Sequence, residues 1–181
     1  MHRNVERVLA ALAGRGVEVL PPAETPAGAV EVLPRAETPA GAPGAARMRV
    51  LPAAVATAAA AAAALGVEVG QIANSLVFDA DGAPLLVLTS GAHRVDTGKV
   101  AALVGAATVR RASPEFVRGA TGQVIGGVSP VGHPAPIRTL VDRALEAFDE
   151  VWAAGGIPHA VFPTTFAELL VVTGGEPAEV A

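Results

Sequence analysis

The 181-residue sequence predicts one domain (residues 1–181) of the α+β, or mixed α/β, class. Two observations lead to this prediction. Segments with helical periodicity alternate with short apolar segments typical of strands, and one clear hairpin joins two of those strands. Half of the residues are apolar but only 3% are aromatic, so the core must consist of Val, Leu, Ile and Ala. A chain of this length can bury a complete hydrophobic core.

Two helices are predicted before residue 70. Four apolar residues from Val5 to Leu12 are spaced i, i+3, i+4 and i+7, which indicates an amphipathic helix that ends near Gly14 or Gly16. Thr57 is the predicted N-cap of a second helix, which contains seven consecutive alanines and closes with a Leu-Gly pair. Alanine favours helix formation and leaves a thin helix that can pack closely.

A tandem repeat rich in proline and glycine lies between these two helices. Residues 17–29 are followed directly by residues 30–42, and the two copies differ only at Pro22 and Arg35. Two such short copies do not make a solenoid. We predict a duplicated segment (residues 17–42) within a surface loop, where extra length costs little stability. A functional Pro-rich linker is the alternative interpretation.

The rest of the chain predicts a β-hairpin followed by interspersed helices and strands. Residues 71–79 and 85–89 read as its two strands, and Asp81-Gly82 is a turn signal between them. Helices are expected at residues 95–103, after Ser113 and Pro114, and at the Thr165–Glu168 capping box. Further strands are expected at residues 106–109, 137–141, 150–153 and 158–162.

Composition excludes several classes of site. The chain has no cysteine, which rules out disulfides, thiolate metal ligands and a cysteine nucleophile. None of the four histidines is at metal-ligand spacing from another histidine or a carboxylate, so we expect neither a metal nor another cofactor. The sequence has no long uncharged apolar run and no secretion-signal pattern. We therefore expect a cytoplasmic protein without a membrane partner.

Charge is distributed unevenly along the chain. The net charge of −4 does not favour simple electrostatic capture of nucleic acid. Residues 94–143, however, carry seven basic and three acidic residues, whereas residues 144–181 carry six acidic residues and no basic ones. Five arginines either form a modest basic face or are scattered over the surface. They are Arg94, Arg110, Arg111, Arg118 and Arg138.

A glycine-rich loop is the most informative segment for function. It consists of Gly126, Gly127, Val128, Ser129 and Pro130, a G-x-x-x-P sequence that follows a short apolar run. Glycines let a backbone approach a ligand and turn its N–H groups toward it, although most glycine–proline loops are simply turns. Fixed N–H groups of this kind can stabilise the oxyanion that forms during acyl transfer.

Three segments of the chain carry motifs of a known family. They are residues 71–78 (QIANSLVF), residues 121–133 around the glycine loop, and residues 154–159 (AGGIPH). In this order and spacing they resemble the YbaK/EbsC-type family, which includes free-standing prolyl-tRNA editing domains. The resemblance covers an editing-domain-like core at residues 50–181. It implies a strongly twisted, partly barrel-like mixed sheet flanked by helices.

The resemblance also implies a reaction and its substrate. The family hydrolyses mischarged aminoacyl-tRNA, so aminoacyl-tRNA is the expected partner. An alanine, cysteine or other small amino acid on a proline tRNA is the expected substrate, and an aminoacyl-tRNA synthetase is a further candidate partner. The expected catalytic residues are Asn74, Gly126, Gly127, Val128 and Ser129. The expected substrate-binding residues are Pro130, Asp142, Gly156 and His159.

Several of these roles have a structural alternative. The family has an aspartate where this chain has Asp142, and a carboxylate there could hold the substrate's α-ammonium. A helix N-cap explains the same aspartate equally well. The resemblance implies a pocket-facing histidine near His159, whereas the residues alone favour a structural one. His133 precedes Pro134 and is interpreted as a loop residue at the pocket rim.

Asn74 departs from the family pattern. The first family segment reads K-S-L-V-F, in which the lysine supplies positive charge near the ester or the terminal phosphate. Asparagine keeps a donor but loses that charge, and a hydrogen bond to a charged group is worth about 1.5–3 kcal/mol against about 1 for a neutral one. Lys99 is the single lysine and does not match the motif. Two functions remain open: a deacylase, and a catalytically weakened module that binds aminoacyl-tRNA or aminoacyl-adenosine.

Overall fold

The structure is a computed structural model that describes residues 1–17, 19–22, 46–51 and 57–181. Only the backbone is described for residues 46 and 47. Nearly all of the duplicated segment, residues 17–42, lies outside these ranges. Its described part does not fit a surface loop, because residues 19–20 form a strand and Val19 is buried in the core. For the rest of the segment the surface loop stays a prediction, as do the domain boundaries.

Five α-helices occur in the described residues, and they confirm the five predicted from the sequence. They are α1 (Arg3–Ala13), α2 (Ala58–Leu65), α3 (Thr97–Val104), α4 (Pro114–Thr121) and α5 (Phe166–Thr173). The hydroxyl of Thr57 caps α2 and that of Thr165 caps α5, as predicted. The third helix begins later than residue 95 because the Asp96 carboxylate accepts from the Lys99 N–H group at 3.0 Å and caps the helix there.

The described strands form one large mixed sheet and one small pair. They are β1 (Val19–Leu20), β2 (Ala46–Arg47), β3 (Arg49–Val50), β4 (Ile72–Ala80), β5 (Ala83–Ser90), β6 (Val109–Arg111), β7 (Arg138–Asp142), β8 (Val151–Ala154), β9 (Ala160–Thr164) and β10 (Glu176–Ala178). The large sheet has eight strands: seven follow the order β10-β7-β5-β4-β8-β9-β3, and the eighth, β6, pairs with β4. Parallel pairs join β5 to β7 and β4 to β8, whereas β4 and β5 are antiparallel. The α+β class with a mixed sheet and flanking helices is confirmed.

Two strand predictions were wrong in position. The strand expected at residues 106–109 is β6, which begins at Val109 because the Asp81 carboxylate holds the preceding residues in a loop. That carboxylate accepts from the N–H groups of Ala107 (2.7 Å) and Thr108 (2.9 Å). The strand expected at residues 158–162 is β9, which begins later because the Ala160 N–H donates to the Ile157 carbonyl (3.2 Å) and closes a turn.

One edge of β4 is only partly paired. Strand β8 pairs with this edge at Ile72 and Ala73, and β6 pairs with it from Phe78 onward, while β5 occupies the whole opposite edge. Between these two partners the Val77 carbonyl accepts from Ala112 N–H at 3.4 Å. No described strand pairs with residues 74–76 on this edge.

The sheet is covered on both faces. Successive residues of a strand point to opposite faces, so Ala73 and Val77 share one face and Ile72 and Phe78 share the other. The first face packs in the main core, which also contains apolar residues of α1 and α5. The second face packs in two smaller clusters, one that includes residues of α2 and one that includes Val100 of α3. Asn74 is on this second face, between the strand residues of the two clusters.

Candidate functional site

The glycine loop, residues 126–130, is held in place by hydrogen bonds to a buried glutamine, Gln123. Gly126 is exposed, whereas the other four residues of the loop are buried. The Ser129 N–H donates to Gln123 Oε1 at 2.7 Å, and Gln123 Nε2 donates to the Val131 carbonyl at 3.4 Å. Because Gln123 is only 1% exposed, its amide has no competing solvent partner. Sequence reasoning missed this residue, although it lies within the segment that carries the motif.

Two of the loop's N–H groups are used inside the protein and two are not. The Gly127 N–H donates to the Val124 carbonyl at 3.0 Å, and the Ser129 N–H donates to Gln123. The N–H groups of Gly126 and Val128 donate to none of the described residues. They are the donors that this loop can offer to a ligand oxygen.

The loop is in direct contact with the turn between β8 and β9, residues 155–159. A Cβ atom on Gly127 would lie 2.5 Å from the Ile157 carbonyl carbon and 2.6 Å from Pro158 N, so the two backbones touch. The turn contains Gly156, whose φ of +94° favours glycine. It also contains His159, which is half-buried and whose main-chain carbonyl accepts from Leu51 N–H at 2.7 Å. The turn that carries two predicted binding residues, Gly156 and His159, therefore contacts the glycine loop through Ile157 and Pro158.

Helix α1 fastens these two segments to each other. The Asn4 side-chain amide donates to the Gly156 carbonyl at 3.3 Å and lies at 3.5 Å from the Gly122 carbonyl. Gly132, which follows the loop, lies so close to α1 that a Cβ atom there would be 3.2 Å from Val8 N. The first helix thus contributes to the shape of the site.

His133 closes the far end of the loop. Its Nε2 lies 2.9 Å from the Ser129 carbonyl. Burial lowers the pKa of His133, its hydrogen bond with Ser129 acts in the opposite direction, and the positive charge of Arg7 lowers the pKa further. A neutral His133 with the proton on Nε2 fits this environment.

Asn74 is a half-buried residue of β4. Its side chain makes no hydrogen bond with any described residue. It lies directly opposite Thr89 of β5, on the same face of the sheet. The amide is therefore available to a ligand, at the point where β8 separates from β4.

Asp142 lies on the same face as Asn74, one strand further away. It is 2% exposed, and its Oδ1 accepts from Ala144 N–H at 3.1 Å, which caps the 3-10 helix Arg143–Ala147. Its Oδ2 accepts from Thr89 Oγ1 (3.2 Å) and Ser90 N–H (3.0 Å) and lies 2.9 Å from His93 Nδ1. Three of these four contacts fall on Oδ2 and one on Oδ1, so the carboxylate is already extensively hydrogen-bonded within the protein. The N-cap interpretation of Asp142 is realised in the structure.

His93 was not singled out from the sequence, because its partner Asp142 is distant along the chain. The two residues border a cleft of about 370 Å³ that is also lined by Arg143 and Glu179. A second cavity of about 230 Å³ lies at the hairpin end of β4 and β5, near Asp81. Neither of these two cavities is lined by Asn74 or by the glycine loop.

The five arginines considered for nucleic-acid binding divide into two groups. Arg110 pairs with Asp79 (2.8 Å) and Arg138 pairs with Glu176 (3.1 Å), so neighbouring carboxylates offset their charge. Arg94, Arg111 and Arg118 are exposed and make no ion pair with the described residues.

The described ranges contain neither a candidate metal site nor a candidate membrane span. No group of three or more His, Asp or Glu side chains there could hold a metal ion. None of the helices in those ranges is both long enough and apolar enough to cross a membrane.

Comparison with known proteins establishes the family. Residues 52–171 match the profile described as the aminoacyl-tRNA editing domain. The chain belongs to this family. The resemblance drawn from the three sequence segments is thereby confirmed, and the matched region of the editing domain contains Asn74, the glycine loop, Asp142 and His159.

Individual relatives of this editing domain include proline–tRNA ligases and an uncharacterized protein. A proline–tRNA ligase of Bacillus licheniformis is 33% identical over 127 residues, which are 65% of this chain and 22% of the ligase. The uncharacterized protein YwhH of Bacillus subtilis (strain 168) is 33% identical over 115 residues, 63% of this chain and 73% of that protein. The chain therefore spans about a fifth of the length of the curated ligases that it matches.

A solved structure matches almost the whole chain. It is described as a candidate trans-editing enzyme for prolyl tRNA synthetase, and it superposes with a TM-score of 0.79 at 40% identity. The match covers 99% of this chain and 98% of that one. The fold described above is thus the fold of an independently solved relative.

Proposed function

We propose that this editing domain hydrolyses mischarged aminoacyl-tRNA in trans, as a free-standing deacylase. The expected substrate is a proline tRNA that carries a small amino acid, alanine or cysteine. The relatives support this proposal, because they include proline–tRNA ligases and a candidate trans-editing enzyme for prolyl tRNA synthetase.

The observation that carries the proposal is the glycine loop with two free N–H groups. An aminoacyl ester is already activated, so a catalyst needs to place a water molecule and stabilise the oxyanion. Gly126 and Val128 offer N–H donors that no described residue uses, on a backbone held by Gln123 and by the 155–159 turn. Preorganised donors of this kind are worth about 3 kcal/mol each in the transition state.

We assign different roles to the other residues that were predicted to form the site. Asn74 has an unpaired amide beside the unpaired edge of β4, and we assign it contact with the ester or the terminal phosphate. Gly127, Ser129, Pro130 and Gly156 set the backbone of the site, and His159 borders it. The Asp142 carboxylate already has four contacts within the protein, so we assign it the structural role of holding His93 and the 3-10 helix.

A second function is favoured by one specific residue. The family lysine is replaced by Asn74, so the site has lost a positive charge where negative charge develops. A module that binds aminoacyl-tRNA or aminoacyl-adenosine with weakened catalysis is therefore the alternative.

Turnover against a panel of charged tRNAs tests the proposal. We expect release of alanine or cysteine from proline tRNA, with prolyl-tRNA left intact and with alanyl-tRNA(Ala) as a comparison for tRNA choice. A chain that binds charged proline tRNA but releases no amino acid would establish the binding module instead. A chain that neither binds nor hydrolyses any member of the panel would refute both functions.

A further inference from the structure

Ser75 carries a buried hydroxyl that has no partner. Among the buried side-chain nitrogen and oxygen atoms in the described part of the chain, only Ser75 Oγ lacks a hydrogen bond. Buried hydroxyls are nearly always paired, because an unpaired one costs stability. Such an exception needs a physical reason, and ligand binding is one.

The position of Ser75 brings this hydroxyl beside the candidate site. Ser75 lies within the unpaired stretch of β4, between its partners β8 and β6. Ala73 is in register with Ala153 at the last β4–β8 pair. Two residues further along the two chains are Ser75 and Gly155, and the 155–159 turn begins at Gly155. That turn touches Gly127 of the glycine loop.

The main chain of Ser75 adds a second acceptor at the same place. Alternate carbonyls along a strand point to the same edge. Because the Val77 carbonyl accepts from Ala112 N–H on the unpaired edge, the Ser75 carbonyl points to that edge as well. Ser75 thus offers hydroxyl and carbonyl acceptors, whereas the glycine loop offers N–H donors.

This arrangement of donors and acceptors matches the chemistry of an aminoacyl group. Such a group presents a carbonyl oxygen, which accepts, next to an α-ammonium, which donates. We infer that Ser75 binds the α-ammonium of the substrate while the glycine loop binds the ester carbonyl. The inference rests on the proposed function, and it assigns this role to Ser75 rather than to Asp142, whose carboxylate already has four contacts within the protein. Because Ser75 Oγ is closed to solvent, binding requires a local shift of the turn or the loop.

A matched pair of variants tests the role of the hydroxyl. Ser75→Thr keeps the hydroxyl. Ser75→Val has a methyl group where the Thr variant has its hydroxyl, so these two variants have the same shape and differ only in that group. The probe is 3′-deoxy-3′-(L-alanylamino)adenosine, whose amide is not hydrolysed as an ester is, and calorimetry measures its Kd. We expect the Val variant to bind about tenfold more weakly than the Thr variant, as for loss of one hydrogen bond to a charged group.

Thermal stability separates this role from a structural one. Ser75→Ala removes an unpaired polar atom and should leave Tm unchanged or raise it. Ser90→Ala is the comparison: it removes a hydroxyl that donates to the Gly70 carbonyl at 2.9 Å, so its Tm should fall. A Ser75→Ala protein with a clearly lower Tm would mean that the hydroxyl is paired and structural, which overturns the inference.

The outcomes also distinguish this inference from the proposed function. If the wild-type protein releases amino acid and binds the probe, but the Thr and Val variants bind it equally well, only the role of Ser75 is refuted. If the wild-type protein neither hydrolyses charged tRNA nor binds the probe, the proposed function fails and this inference fails with it.

Discussion

At the scale of single residues, the site contains one substitution with a direct electrostatic consequence. Asn74 makes no hydrogen bond with the described residues and is half-buried, so a longer side chain at this position would extend toward solvent or ligand rather than displace a partner. The position can therefore accommodate a lysine. The positive charge is missing because residue 74 is asparagine, and no described neighbour prevents a lysine there.

Restoring that charge should increase the rate. Asn74→Lys is expected to raise turnover on mischarged proline tRNA about tenfold or more, because a charged hydrogen bond contributes ~1–2 kcal/mol more than a neutral one. Single-turnover rates on alanyl-tRNA(Pro) measure the effect, and Asn74→Gln is the neutral control. A wild-type rate that falls when lysine is introduced would show that the amide itself serves the reaction.

His133 should make stability depend on pH. Its pKa is lowered in the folded state, mainly by burial, so the unfolded chain binds a proton more readily. This contribution to stability is present above about pH 6.5, the ordinary histidine value, and is lost as the pH falls below it. Urea midpoints at about pH 7.5 and about pH 5.5 should therefore differ more for the wild type than for His133→Gln. Equal differences in the two proteins would contradict a buried neutral His133.

At the scale of elements, the site consists of segments from three separate parts of the chain that contact one another in the fold. The glycine loop follows α4, the 155–159 turn follows β8, and α1 joins them through Asn4. Gly127 is the closest point of contact, since its hydrogen faces the Ile157–Pro158 backbone. Glycine is needed at this position because a Cβ atom would collide with the 155–159 turn, whether or not a ligand is bound.

Gly127→Ala should therefore damage both stability and activity. A Cβ atom 2.5 Å from the Ile157 carbonyl carbon forces the two backbones apart, and overpacking of this kind typically costs about 1–3 kcal/mol. We expect a lower Tm and at least a tenfold loss of turnover, because the free N–H groups of the loop move with it. Gly126→Ala is not a clean control because Gly126 has a positive φ, so Gly119→Ala in α4, where a Cβ atom meets nothing within 4 Å, serves instead. Full activity in Gly127→Ala would exclude a precise role for the loop.

The elements themselves could be predicted better than the contacts between them. Helix caps and the β4–β5 hairpin depend on neighbouring residues, so Thr57, Thr165 and Asp81-Gly82 carried the signal in the sequence. The strand at β6 was misplaced because Asp81 fixes Ala107 and Thr108 from a distance of many residues. His93 with Asp142, and Gln123 under the loop, are also tertiary pairs. Ser75 gave no signal because its environment is visible only once β8 and β6 are known to leave a gap.

At the scale of the whole molecule, the described core takes two residues from the start of the duplicated segment, the buried Val19 and the partly buried Val17. Both faces of the sheet are covered by helices or loops from residues 1–17 and 57–181, and the strands around the candidate site, β4, β5, β7 and β8, all lie within the second range. The duplicated segment, residues 17–42, contains β1, which pairs with β2, while its residues 18 and 23–42 lie outside the described residues. Beyond β1, we expect its contribution to stability to depend on the length of chain between β1 and β2.

Deleting one copy of the repeat should leave fold and site intact. The free energy of closing a flexible loop varies slowly with length, so removal of residues 30–42 is expected to change the free energy of unfolding by less than about 1 kcal/mol. The remaining copy still connects α1 to β2. Thermal unfolding of the full chain and the deletion variant measures the difference, with binding of the amide probe as a check on the site. A Tm lower by more than about ten degrees, far beyond the few degrees that ~1 kcal/mol produces in a domain of this size, would show that the segment belongs to the folded structure.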